Sequence, residues 1–204
     1  MNQFSARITG QSAVIAVLIF CVAASASGSW LYDGSPIYNI GVAIGKDRPT
    51  QMVAQPFEFS EPVEIDLIGV AIAGGPDPNQ VGFTAMLAED PWDLSASTLR
   101  TWQVYPVAGT TLAFAYFSVE PIFLQADRSY YLVVAPGDSE FMGAVAYAHR
   151  GNPALATNDN GQSWFQISPL GVRIGGTVVP EPSGIVALMC GVVGLVGAVR
   201  YGRR

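Results

Sequence analysis

Few residues in this chain could do covalent chemistry. There is one histidine, His149, and the two cysteines, Cys21 and Cys190, both lie inside apolar runs. A Ser-His-Asp or Cys-His site would have to be built on that single imidazole, and no Gly-x-Ser-x-Gly elbow is present. Zinc held by His and Cys fails on the same count. Glu89, Asp90, Asp93, Glu120 and Glu140 could serve glycoside hydrolysis only if two of them faced one cleft. Carboxylates in turn-rich segments are ordinarily solvated, so the expectation is a noncatalytic protein without a cofactor, with a glycoside hydrolase as the remote alternative.

Binding chemistry is better supplied. Asn158-Asp159-Asn160-Gly161 offers side-chain oxygens around a tight turn, which makes Asp159 a calcium candidate. The same composition is that of an ordinary hairpin turn, and this plainer reading is preferred. A pyranose ring stacks on a flat aromatic face while nearby polar groups bond its hydroxyls. Trp92, in Asp90-Pro91-Trp92-Asp93, and Trp164, after Gln162-Ser163, are the candidates for glycan stacking; packing is the alternative for each. Trp102 shares a strand face with Val104 and is expected in the core.

The elements that must hold these residues are strands. Apolar and β-branched runs recur at 37–44, 57–59, 63–72, 82–87, 99–104, 112–124, 130–135, 144–148, 163–167 and 172–174. Breakers separate them, among them Gly74-Gly75-Pro76-Asp77-Pro78-Asn79 and Pro136-Gly137-Asp138. This spacing predicts an all-β fold, a single β-sandwich or jelly-roll-like domain. The one helical candidate is a single turn within 93–100, capped by Asp93 or Ser95. In the run from Val63, residues 63, 65 and 67 are expected to face inward, with Glu64 and Asp66 in water. The segment 130–134 lacks polar alternation and should be a central strand.

Composition sets the surroundings. Of 204 residues only 13% are charged, against about a quarter in ordinary domains. The net charge is −6, and the body at 27–178 holds six basic against fifteen acidic residues. Phosphate recognition needs clustered cations, so nucleic acid is excluded as a partner.

The two apolar runs read as addresses. Residues 12–24 follow a short start whose one charge is Arg7 and lead into Ala24-Ser25-Ala26, with small residues at the −3 and −1 positions of a signal-peptidase site. Residues 1–26 are thus expected to be a signal peptide cleaved after Ala26, with an uncleaved anchor as the alternative. Export would leave the body at 27–178 without cysteine, held by burial alone. The second run, 184–199, carries no charge and is followed by Arg200-Tyr201-Gly202-Arg203-Arg204. As a helix it would measure roughly 24 Å, enough to span with local thinning, with the arginines cytoplasmic. Ahead of it, Val179-Pro180-Glu181-Pro182-Ser183 cannot continue a strand or begin a helix early and is expected to be an extended, exposed stem.

Val-Pro-Glu-Pro, a short glycine-rich apolar helix and a terminal arginine cluster, in this order over 179–204, resemble the PEP-CTERM sorting signal of Gram-negative bacteria. The resemblance implies recognition of Val179, Pro180, Glu181 and Pro182 by an exosortase, a membrane cysteine transpeptidase, after passage through the general secretion machinery. Arg200, Arg203 and Arg204 would hold the precursor in the inner membrane before delivery to the cell surface or matrix. A plain tail anchor is the alternative. The order Gln55-Pro56-Phe57-Glu58-Phe59, an Ile/Leu-rich strand, Asp127-Arg128-Ser129-Tyr130-Tyr131-Leu132-Val133-Val134 and a late Gly-x-Ser-Trp is similar to choice-of-anchor sandwich domains. These readings converge on an exported structural or adhesive protein. The alternative is a carbohydrate-binding module for the cell's exopolysaccharide.

Overall fold

The computed structural model describes residues 29–45, 47–74, 82–105, 112–137 and 142–180, and their fold is all-β. Twelve strands are present among the described residues: β1 (Ser29–Asp33), β2 (Ile37–Gly45), β3 (Met52–Glu58), β4 (Val63–Gly74), β5 (Phe83–Ala88), β6 (Thr98–Val104), β7 (Ala113–Leu124), β8 (Ser129–Ala135), β9 (Met142–Ala148), β10 (Ala154–Thr157), β11 (Phe165–Ile167) and β12 (Val172–Val178). The one described helix is a single turn, α1 (Leu94–Ser97), whose start is fixed by Asp93: its carboxylate accepts from the Ala96 N–H at 3.2 Å.

The strands form two six-stranded sheets in which every pairing is antiparallel. The first has the order β1-β12-β4-β9-β2, with β7 on the other edge of β4; the second runs β11-β10-β3-β8-β5-β6. The chain changes sheet at nearly every connection, staying in one sheet only for β1-β2, β5-β6 and β10-β11. Side chains from both inner faces fill one core, among them Ile65, Ile68, Val70, Val145 and Ile174 from the first sheet and Phe57, Phe83, Leu87, Leu132 and Val134 from the second. This is a sandwich-like arrangement. As expected for 130–134, β8 is an interior strand, between β3 and β5.

β4 organises the first sheet. It is long enough for β7 to pair along one edge, while β12 and then β9 share the other. The sequence expectation fails here at one residue: Val63 and Ile65 face inward, but Leu67 does not, and Ile68, Val70 and Ile72 take over the core positions. The cause is a bulge. Between Ile65 and Leu67 the β12 register advances only from Gly176 to Gly175, so β4 carries one extra residue and its inward phase flips. Leu67, Gly69, Ala71 and Ala73 therefore lie on the outer face of the sheet.

Ala24, Ala26, Glu181, Pro182, the run 184–199, Arg200, Arg203 and Arg204 lie outside the described residues. Among the described residues, no helix is long and apolar enough to cross a membrane.

Candidate binding surfaces

The two tryptophans singled out from sequence lie on one surface, the outer face of the second sheet. Its floor is Ala54 and Val133, with Met52 and Ala135 beside them, and Met86, Leu155, Tyr131 and Trp164 pack onto it. Cross-strand register carries a row Leu155–Ala54–Val133–Met86–Thr101 across five strands. The two rings serve this face differently. Trp164 is half-buried, and its indole N–H donates to the Gly161 carbonyl at 3.1 Å, so the ring is part of the loop's packing. Trp92 is 56% exposed and meets Tyr131 edge-on, centroids 6.4 Å apart at 82°. It is held there by its own backbone, whose N–H donates to the Asp90 carboxylate at 2.8 Å. Burial, then the charge of Asp90, pushes the Tyr131 phenol above its usual range. The face joins both residues but presents one open ring. Trp102 is partly buried against the core and tilts onto Phe117, with centroids 5.7 Å apart.

Asp159 closes a turn. Its carboxylate accepts from the Ser163 N–H at 2.9 Å and from the hydroxyls of Ser163 and Thr157. These bonds, from Ser163 first and then Thr157, hold its pKa down at about 2. Asn160 (φ 58) and Gly161 (φ 85) take the left-handed conformations that this composition favours. Among the described residues no three His, Cys, Asp or Glu side chains gather. Of the carboxylates considered for hydrolysis, Glu89 faces Arg128 at 3.5 Å, Asp90 and Asp93 bond to nearby backbone, and Glu120 is exposed on β7; Glu140 lies outside the described residues. His149 is exposed just past β9, stacked on Tyr38 with centroids 3.6 Å apart.

Val179, expected in an exposed stem, is still tied to the sheet. β12 runs to Val178, and the Val179 N–H still donates to the Pro62 carbonyl at 2.8 Å, leaving Val179 half-buried. Pro180 is exposed and is the first residue of the motif clear of the sheet. The ladder extends one residue past the strand because Val179, unlike Pro180, has an N–H to give.

A second surface, on the outer face of the first sheet, escaped the sequence reading. Asp33, Arg173, Gly69 and Tyr116 are direct cross-strand neighbours on β1, β12, β4 and β7. Since Gly69 has no side chain, the Tyr116 ring lies flat over it: a Cβ there would come 2.6 Å from the ring. Lying down, Tyr116 stacks with Trp30 (5.6 Å, 28°) and with Phe114 (5.7 Å, 19°), and its hydroxyl accepts from Arg173 at 2.7 Å. The guanidinium sits over Phe114 and Trp30, at 4.4 and 5.3 Å from their centroids, and its Nε donates to Asp33 at 2.9 Å. Burial pushes the Asp33 carboxyl up, but hydrogen bonds from Arg173 and Ser35 outweigh it and hold the group below its usual range. Trp30 and Tyr116 remain 41% and 47% exposed. The signals were an isolated glycine inside a strand pattern and a tryptophan one strand ahead of the expected core, but their partners are separated by most of the chain.

Farther along the same face, β2 bows away from β9: three residues, Tyr38, Asn39 and Ile40, stand opposite one, Tyr147. Beneath the bow is a cavity of about 230 Å³ floored by Ala73, Ala144 and Ala146 and edged by Leu112. No family model matches the chain, and no curated protein matches it.

Proposed function

We propose that this chain is an exported cell-surface or extracellular-matrix protein with a noncatalytic structural or adhesive role. A signal peptide would deliver it, and an exosortase acting on the motif at 179–183 would sort it. The observation that carries the reading is the order of three parts in 179–204: Val179-Pro180-Glu181-Pro182, an uncharged apolar run, and a tail with Arg200, Arg203 and Arg204. Three features of the body support it. The domain needs no disulfide, having no cysteine between residues 22 and 189. Its first strand lies beside its last, with Ser29 opposite Gly176, so the expected cleavage site and the sorting motif flank the same end of one sheet. Finally, Pro180 stands exposed directly beyond the ladder, where a protease cleft could take an extended segment.

Exposed aromatic rings on both outer faces favour a second reading within the adhesive class, that of a carbohydrate-binding module for exopolysaccharide. The sorting reading is tested by intact mass and fractionation of the protein from its host. The expected result is loss of both terminal segments and recovery at the surface or in the matrix. Glu181→Ala, or removal of 200–204, should trap an unprocessed precursor in the inner membrane. Normal processing of both variants would refute the sorting role.

A further inference from the structure

We propose that the outer face of the first sheet is a binding site for a neutral glycan, with Trp30, Tyr116 and Phe114 as the stacking platform and Arg173 as the residue that positions them. The inference deepens the adhesive reading above and rests on it for the extracellular setting.

The geometry favours a ring-shaped, amphipathic ligand. Tyr116 is nearly parallel to both its aromatic neighbours, and the three rings rest on a small-residue floor that includes Gly69, Ala71 and Gly175. A core arrangement would leave little of such rings in water, yet Trp30 and Tyr116 keep nearly half of their surface open. Polar atoms adjoin the open Trp30 and Tyr116 rings: the Tyr116 hydroxyl, the Arg173 guanidinium, which lies over Phe114 and Trp30, and the Asp33 carboxylate, bound to one another and so held in place. A pyranose has this pattern in reverse, with a C–H face for the rings and hydroxyls around its rim for the polar border. Along β4 the face continues from Leu67 to Ala73, a distance of roughly 20 Å, and ends at the cavity under Tyr38, Asn39 and Ile40. A short run of linked sugars fits this path better than a single ring.

Charge decides which glycan. Arg173 is paired with Asp33, so the platform has no net charge, and the body around it is net −9. An acidic polysaccharide would be repelled, as would an anionic lipid surface, which needs unpaired cations. An uncharged chain meets no such penalty.

The test uses the full chain in a detergent without sugar headgroups, titrated calorimetrically with neutral hexasaccharides of glucose, mannose, galactose and N-acetylglucosamine. Oligogalacturonate and phosphatidylglycerol vesicles serve as competing probes. At least one neutral hexasaccharide should bind, and Trp30→Ala and Tyr116→Ala should each weaken it by about tenfold or more. Trp92→Ala, on the other sheet, should leave it unchanged. Trp30→Phe keeps an aromatic ring in the packing and should give a smaller loss at an unchanged melting temperature, which separates platform from fold. Absence of binding by every neutral probe would overturn the proposal. So would preference for oligogalacturonate or vesicles, or loss on Trp92→Ala with retention on Trp30→Ala. Surface recovery of the Trp30 and Tyr116 variants is followed in parallel. Failed glycan binding with normal delivery would count against this site alone, and failed delivery with binding intact would count against the sorting reading.

Discussion

Gln55 is a polar residue with no solvent exposure, and both ends of its side-chain amide are bonded to backbone. Its amide nitrogen donates to the carbonyls of Pro56 (2.9 Å) and Asn152 (3.0 Å), while its oxygen accepts from the Leu170 N–H at 2.7 Å. It thus ties β3 of the second sheet to the segment entering β12 of the first. Leu in its place would fill the space but strand a buried N–H and two carbonyls, so Gln55→Leu is expected to cost about 2–4 kcal/mol, read from urea denaturation. A change below half a kcal/mol would mean that water replaces the amide. Asp159 acts through pH. Its carboxyl ionises at about 2 in the folded chain, against an ordinary 3.8, because Ser163 and Thr157 bond the charged form. The depressed value stabilises the fold above about pH 4, and that contribution is lost as pH falls through 4 toward 2. Asp159→Ala should therefore melt below the native chain at pH 7, with the gap closing by pH 2. A gap independent of pH would assign the loss to packing alone.

At the scale of elements, what could be read from sequence followed how cleanly each strand kept its period. β2, β4, β5, β6, β7, β8 and β9 announce themselves because apolar residues recur, in runs or at alternate positions, and breakers bracket them. The capped turn α1 was also readable, since Asp93 stands where an N-cap must. β1 was not: a register shift between Trp30 and Tyr32 turns adjacent residues, Leu31 and Tyr32, toward the core, which destroys the alternation. β3 hides behind Gln55 and Pro56, which argue against an interior strand. Both have local reasons. Gln55 is satisfied across the sheets, and Pro56 lies beyond Ala54, the last residue of β3 that β10 pairs, so no ladder on that side asks for its missing N–H. β10 is too short and too alanine-rich to carry a signal. The candidate sites divided in the same way. Trp92 is visible because one exposed ring sits in one polar turn. The Trp30–Tyr116–Phe114 platform exists only once β1, β12, β4 and β7 are side by side. Its members are ordinary strand residues in sequence, and Asp33 and Arg173, which bond to each other, are 140 positions apart.

For the whole molecule, the order of strand insertion matters more than any single contact. β12, the last strand, enters the first sheet between β1, the first, and β4. Until β12 arrives, β1 has no neighbour in that sheet, and the β4 edge from Val63 to Val70 is an open template for wrong pairing. β12 also contributes Val172 and Ile174 to the core, both with no exposure, so without it the inner face is incomplete. In a chain leaving the membrane amino end first, the sandwich could close only after residue 178 had emerged, immediately ahead of the Pro-Glu-Pro segment. Closure and presentation of the stem would then be nearly simultaneous. Two truncations of the body test this dependence. A chain of residues 27–179 should melt cooperatively, since it keeps the whole β12 ladder and the Val179–Pro62 bond. A chain of residues 27–171 should show no cooperative transition and should aggregate at micromolar concentration, through the open β4 edge and the uncovered core. If the shorter chain melted cooperatively, β2, β4, β7 and β9 would form a stable sheet without β12, and the final strand would be a late addition to a finished fold.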